Sequence, residues 1–240
     1  MNWLEGRVIE NRHWTDALFS IRVQSPPLKF EAGQFVRIAL DIDGERVARA
    51  FSFVNPPQDP VLEFYGIVVP QGPLSPRLAD LKRGDVLYVA SNPAGFLVLP
   101  EVRDAETLWL MSTGTGIAPF VSILRTQTPW KRFKNVVLVH AVRHASELVY
   151  RDVFKDMNLT YISFVSREPA PGSLAGRIPA AVRDGRLEAA AGLRLAPETS
   201  QVMLCGNPDM LKDTTAALAE RGMRKHRRRN PGHITVESFW

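Results

Sequence analysis

Runs of branched and aromatic residues, each closed by Gly, Pro, Asn or Asp, fill the first hundred positions of the chain. They lie at Arg7–Asn11, Ala17–Val23, Phe35–Leu40, Ala48–Val54, Val61–Val69 and Val86–Ala90. This spacing predicts six short strands with brief connections, hence an antiparallel barrel. One helical pattern interrupts them at Leu74–Leu81, where Ser75 can act as cap and Pro76 can take the first helical position. Beyond Pro100 the pattern changes. Apolar strands predicted at Thr107–Met111, Asn135–Ala141, Thr160–Val165 and Gln201–Leu204 alternate with helical segments. Those segments follow Pro119, surround Glu147–Asp156 and Ile178–Ala190, and run from Pro208 to Arg221. Such alternation implies a parallel sheet covered by helices. The expectation is a β-barrel domain over 1–100 and an α/β domain over 101–240, joined by the linker Leu99–Arg103.

Within the second half, Leu110-Met-Ser-Thr-Gly-Thr-Gly-Ile-Ala-Pro-Phe120 passes from an apolar strand through two glycines into a proline. Proline suits the first turn of a helix, because it lacks the N–H that has no partner there. A strand, a bare turn and a helix start can hold an anion on unpaired N–H groups. The same residues also suit an ordinary strand-to-helix turn. Leu204-Cys-Gly-Asn-Pro-Asp209 offers a second such turn, with Asn207 as cap for a helix begun by Pro208. Open parallel sheets bind ligands at the carboxyl ends of their strands, so two such turns favour a phosphate or pyrophosphate site. The first turn lacks the GxGxxG dinucleotide pattern, since Pro119 occupies the last position. No acid stands about 20 residues on to take a ribose hydroxyl. The next strand ends instead in Val142-Arg143, which suits a phosphorylated ribose.

Charge and composition narrow the classes. The 240 residues include one cysteine, Cys205, so a disulfide framework, a four-cysteine cluster and a CxxC zinc site are excluded. No signal-like segment and no membrane-length apolar run are visible, and a reducing cytoplasm is the expected compartment. The net charge is +5. Six positive charges and no acid lie in Arg221–Arg229, which leaves −1 for the rest. The basicity is therefore one patch. It lacks interleaved aromatics and any DNA-binding motif, and it fits equally a solvated turn or a face that docks an acidic protein.

Several segments, in one order, resemble the bacterial ferredoxin–NADP(H) reductases. Arg49-Ala-Phe-Ser-Phe-Val-Asn55 resembles the flavin motif, and Gly72-Pro-Leu-Ser-Pro-Arg-Leu78 the loop and helix at the flavin pyrophosphate. Gly114-Thr-Gly-Ile-Ala-Pro119 and Cys205-Gly-Asn-Pro208 resemble the nicotinamide-side motifs, and Val236-Glu-Ser-Phe-Trp240 the aromatic terminus. The resemblance implies an FAD-binding barrel, an NADP(H)-binding α/β domain, hydride transfer to flavin N5, and one-electron exchange with ferredoxin or flavodoxin. It assigns FAD to Arg49, Ala50, Phe51, Ser52, Phe64, Tyr65, Ile67, Gly72, Leu74, Ser75, Thr115, Phe239 and Trp240. It assigns NADP to Gly114, Thr115, Gly116, Arg143, Arg167, Arg177, Cys205, Gly206 and Asp209. Ser52, Cys205 and Glu237 would serve the chemistry. Phe239 would cover the flavin and Trp240 the adenine. Phe51 departs from the usual tyrosine, which removes a hydroxyl and keeps a ring.

The expectation is a monomer with ferredoxin or flavodoxin, an acidic electron-transfer protein, as partner, and with no nucleic acid, no membrane and no metal. An NAD(P)H-dependent flavin reductase or the reductase component of an oxygenase is the alternative within the enzymes. A non-catalytic flavin or nucleic-acid binder, working through the basic run, is the alternative outside them.

Overall fold

The computed structural model describes residues 2–238, so the expected contacts of Phe239 and Trp240 lie outside the described residues. Two compact units form, one from Met1–Val98 with Ala118–Thr126 and one from Leu99–Ile117 with Gln127–Trp240.

The first unit holds β1 (Trp3–His13), β2 (Leu18–Gln24), β3 (Phe35–Ile42), β4 (Glu45–Ser52), β5 (Val61–Ile67) and β6 (Val86–Ala90). They pair antiparallel in the order β4-β3-β6-β1-β2-β5. Beyond β4, Phe53 bridges Phe64 of β5, and the Val54 N–H donates to the Glu63 carbonyl at 2.9 Å. The curled sheet is thereby drawn together at its two edges. Alternate residues such as Phe19, Ile21, Val36, Ile38, Leu87 and Val89 point inward and form the core, the period-2 pattern of a one-sided sheet.

One helix, α1 (Ser75–Asp80), sits on this unit. Asn11 Nδ2 holds its end by donating to the carbonyls of Leu78, Ala79 and Leu81 at 2.9–3.0 Å. Ser75 does not cap it. Leu74 is the cap residue without a side-chain bond, and Ser75 Oγ instead accepts the Val69 N–H at 2.8 Å. The loop ahead of the helix takes the hydroxyl that the helix would otherwise use. A second helix, α2 (Ala118–Leu124), also belongs to this unit, although 101–240 was the expected span of the other domain. Its Ser122 Oγ donates to the Asn55 carbonyl at 2.7 Å, and Arg125 beyond it pairs with Glu63 at 3.2 Å.

The second unit is built on β7 (Thr107–Thr113), β8 (Asn135–Val142), β9 (Thr160–Val165), β10 (Leu174–Ala175), β11 (Ser200–Gly206) and β12 (Ile234–Ser238), in the order β10-β9-β8-β7-β11-β12 and parallel throughout. Around it lie α3 (Thr128–Arg132), α4 (Arg151–Phe154), α5 (Ile178–Arg183), α6 (Arg186–Ala191) and α7 (Pro208–Ala219). The single helix expected over Ile178–Ala190 is two, broken where Gly185 adopts a φ of +80°. The expected helix over Glu147–Asp156 shrinks to a 3-10 turn, Ala145–Glu147, and the single turn of α4. Trp109, Met111, Val137, Val139, Phe164 and Leu204 anchor a core packed beneath α5 and α7.

Candidate functional site

Edge strand β4 carries the first group of expected site residues. Arg49 and Ala50 are exposed, Phe51 is half-buried and Ser52 is buried. Among the described residues the guanidinium of Arg49 donates only to the neighbouring Ala48 carbonyl, at 2.7 Å. Its remaining donors face solvent, a consequence of the strand's edge position; the sequence had suggested an arginine within an apolar strand. The Phe51 ring lies over Gly66. A Cβ there would come within 2.9 Å of both the Phe51 and the Phe19 rings, so the glycine makes the seat for Phe51. Phe64 is fully buried and stands edge-on to Phe51, with centroids 6.5 Å apart. It supports that ring from within the core. Tyr65 is buried beside it, whereas Ile67 is exposed.

Around α1 the picture is of backbone. Leu74 is buried, Pro76 is the second residue of the helix, one place later than expected, and no acid occupies the first turn. The Gly72 N–H is turned back onto the Val69 carbonyl at 2.8 Å. A cation with free donors, a seated aromatic ring, a buried serine and a helix start free of acid suit a flat heteroaromatic ring system joined to a pyrophosphate. These residues fit FAD.

In the second unit the glycine turn coils at once. Residues Gly114–Ile117 form a 3-10 turn that runs into α2, so Pro119 is the second residue of the helix. Gly116 lies against the other turn. A Cβ on it would be 2.5 Å from the Cys205 carbonyl oxygen and 2.8 Å from Gly206 Cα, so only glycine lets the backbones meet. Thr113 Oγ1 accepts the Asn207 N–H at 2.9 Å, which ties the ends of β7 and β11. Asn207 caps α7 by accepting the N–H groups of Asp209 and Met210 at 2.9 and 3.3 Å. Thr115 is buried within the turn, and Asp209 is exposed in the first turn of α7.

The three arginines are brought together by sheet order. Arg143 follows β8, Arg167 follows β9 and Arg177 follows β10, three neighbouring parallel strands, and all three are exposed. The loops that carry the first two are tied. Arg167 N–H donates to the Arg143 carbonyl at 3.0 Å, and Glu168 accepts the Ala145 N–H at 2.7 Å and meets His144 Nδ1 at 3.2 Å. That N–H, helped by His144, holds the Glu168 carboxyl below its ordinary range. Glu147 accepts the Arg143 N–H at 2.9 Å. Both acids thus accept backbone N–H groups, and among the described residues none of the three guanidinium groups is in an ion pair.

Cys205 and Glu237 are paired across β11 and β12. The thiol is fully buried; burial, then the Glu237 carboxylate, raises its pKa well above the ordinary value. It is a neutral, apolar wall at neutral pH. The same register extends from Cys205 to Ser112, His140 and Ser163. His140 and Ser112 were not among the site residues expected from the sequence. The signal for His140 was a polar residue inside an otherwise apolar strand, Val136-Val-Leu-Val-His-Ala-Val142.

Comparison with known proteins matches these features to one group. Residues 110–216 match the model of the oxidoreductase NAD-binding domain. The chain is 53% identical to a flavodoxin/ferredoxin–NADP reductase of Shigella flexneri and 52% identical to that of Escherichia coli, covering 100% of this chain and 99% of each relative. A ferredoxin NADP+ reductase of Neisseria gonorrhoeae, solved with bound FAD and NADP, superposes with a TM-score of 0.96 at 31% identity, over 100% of both chains. At such identity over its whole length, with the fold to match, the chain belongs to the ferredoxin–NADP(H) reductase family.

Proposed function

We propose that the protein is an FAD-dependent ferredoxin/flavodoxin–NADP(H) oxidoreductase that acts as a cytoplasmic monomer. The first unit holds FAD and the second holds NADP(H). Bound FAD supplies the exchange between a hydride and single electrons. Around it, Arg49 and the backbone at Leu74 and Ser75 neutralise the pyrophosphate, while Phe51 packs on the ring and Ser52 meets its polar edge; Ala50, Tyr65, Ile67 and Gly72 complete the surface. Thr115, Cys205 and Glu237 orient the nicotinamide. Gly114, Gly116 and Gly206 allow the nucleotide to approach backbone, with Asp209 beside them.

One observation carries the choice of nucleotide: three exposed arginines at the ends of three adjacent strands. Guanidinium groups grip phosphate through paired donors, and the adenosine 2′-phosphate is what distinguishes NADPH from NADH. Anaerobic titration of the purified enzyme, followed by its flavin absorption, tests this. NADPH should bleach the flavin at far lower concentration than NADH. Arg167→Ala and Arg177→Ala should each weaken NADPH roughly tenfold or more, the effect of losing a charged contact of about 1.5–3 kcal/mol. NADH should change little. Equal weakening of both nucleotides, or equal use of both by the parent, would favour the NADH-linked flavin reductase reading.

A further inference from the structure

We propose that His140 is a positioning residue for the nicotinamide nucleotide, its imidazole holding the Gly114 peptide in the conformation the nucleotide turn requires. The inference rests on the reading of that turn as part of the NADP(H) site. Three geometric observations carry it.

His140 is fully buried on β8, and its Nε2 lies 3.3 Å from the Gly114 carbonyl oxygen. A carbonyl only accepts, so the ring carries its proton on Nε2 and leaves Nδ1 bare. Nδ1 has no hydrogen-bond partner among the described residues. A buried imidazole with one unspent nitrogen costs stability relative to an apolar residue of similar size. Packing alone does not account for it.

The residue it holds is the pivot of the turn. Gly114 has a φ of +51°, in the left-handed region, and a Cβ there would meet nothing within 4 Å. Open space around a left-handed glycine leaves the peptide without steric support. The imidazole supplies a directional restraint in its place.

His140 also belongs to a row. Strand register aligns Ser163, His140, Ser112, Cys205 and Glu237 across β9, β8, β7, β11 and β12. In-register residues of neighbouring strands project from the same face. The row one residue earlier, Ile162, Val139, Met111, Leu204 and Val236, is apolar and lies in the opposite core. Four polar members and one thiol thus cross five strands next to the ends where ligands bind, where a sheet supports a site.

Burial pushes the His140 pKa down to about 4, against a smaller opposing effect of the Gly114 carbonyl. The ring is therefore neutral in the working range, and its single proton stays on the nitrogen that faces Gly114.

The test uses the FAD-loaded enzyme. Nitrogen–proton NMR of the imidazole should show a slowly exchanging Nε2–H whose signal shifts when NADP+ is added, along with the amides of Thr115 and Gly116. His140→Leu removes the donor, and KM for NADPH should rise about tenfold with FAD content unchanged. His140→Gln keeps an N–H at the place of Nε2 and should restore KM to within about threefold of the parent. Shifted amides with an unmoved imidazole signal, or a proton on Nδ1, would overturn the proposal while leaving the nucleotide site intact. Unmoved amides on saturation with NADP+ would overturn the site reading and the proposal together. If His140→Leu does not fold, the signal in the parent decides.

Discussion

His140 makes a prediction for stability that is separate from its role in binding. Its folded pKa of about 4 lies below the ordinary value of 6.5. Between those values the unfolded chain binds a proton that the folded chain does not, so the group's contribution is complete above pH 6.5 and falls as pH drops toward 4. By pH 5 the loss should be about 2 kcal/mol, at about 1.4 kcal/mol per pH unit. Denaturant unfolding at pH 7.5 and pH 5 measures it. The difference in stability between the parent and His140→Gln should shrink by roughly that amount at the lower pH. A constant difference would show that folding leaves the imidazole pKa at its ordinary value. At the same scale, Phe51 illustrates compensation. The ring stays seated because position 66 is glycine, so losing the tyrosine hydroxyl leaves the packing surface in place.

At the scale of elements, the site depends on how strands end. Asn207 spends its side chain on two N–H groups of α7 and its own N–H on Thr113. One residue thus caps a helix and joins two strand ends. Asn207→Ala should cost about 1 kcal/mol for the cap, a fall of about 2–4 °C in the melting temperature for a chain of this size. A scan of the FAD-loaded enzyme by circular dichroism reads this, and an unchanged melting temperature would mean that α7 is held by packing alone. The two-residue β10 is a smaller element with a larger consequence. It brings Arg177 alongside Arg167 and Arg143 at one edge of the sheet. Below Arg143 and Arg167, Val142, Leu148 and Val165 form a small apolar cluster with Ala170 that braces both loops.

For the molecule as a whole, the basic run is partly neutralised. Arg221 pairs with Glu188, and Arg228 pairs with Glu101 at 2.6 Å. The Arg228 guanidinium, with burial opposing and His226 helping, holds the Glu101 carboxyl below its usual range. Among the described residues Arg224, Lys225, Arg227 and Arg229 make no ion pair, and all four are exposed. Four open cations on one turn attract an acidic surface at low salt. Electron transfer to ferredoxin or flavodoxin should therefore slow as salt rises and screening tightens to about 8 Å. Stopped-flow rates across a salt series test this. The double variant Arg227→Ala/Arg229→Ala should flatten the dependence without changing flavin reduction by NADPH. An unaltered slope would make the patch incidental. No helix among the described residues is long and apolar enough to cross a membrane.

The strands, the Asn207 cap and the glycine turns were legible in the sequence because each depends on neighbours a few residues away. Period-2 alternation, a proline at a helix start and an asparagine before it act locally, and they mark β1–β9 and β11, some with shifted ends. Local pattern was silent on β10 and β12, since a two-residue strand and a terminal one gain their pairing from distant chain. It also misjudged Ser75, whose hydroxyl had a competing donor at Val69, and Arg49, whose exposure follows from the edge position of β4. His140 was invisible as anything but one polar residue in a buried strand. Sequence proximity determined which segments form; tertiary pairing decided which arginines share an edge and which carbonyl a buried imidazole meets, because register and strand order are set by contacts across the sheet.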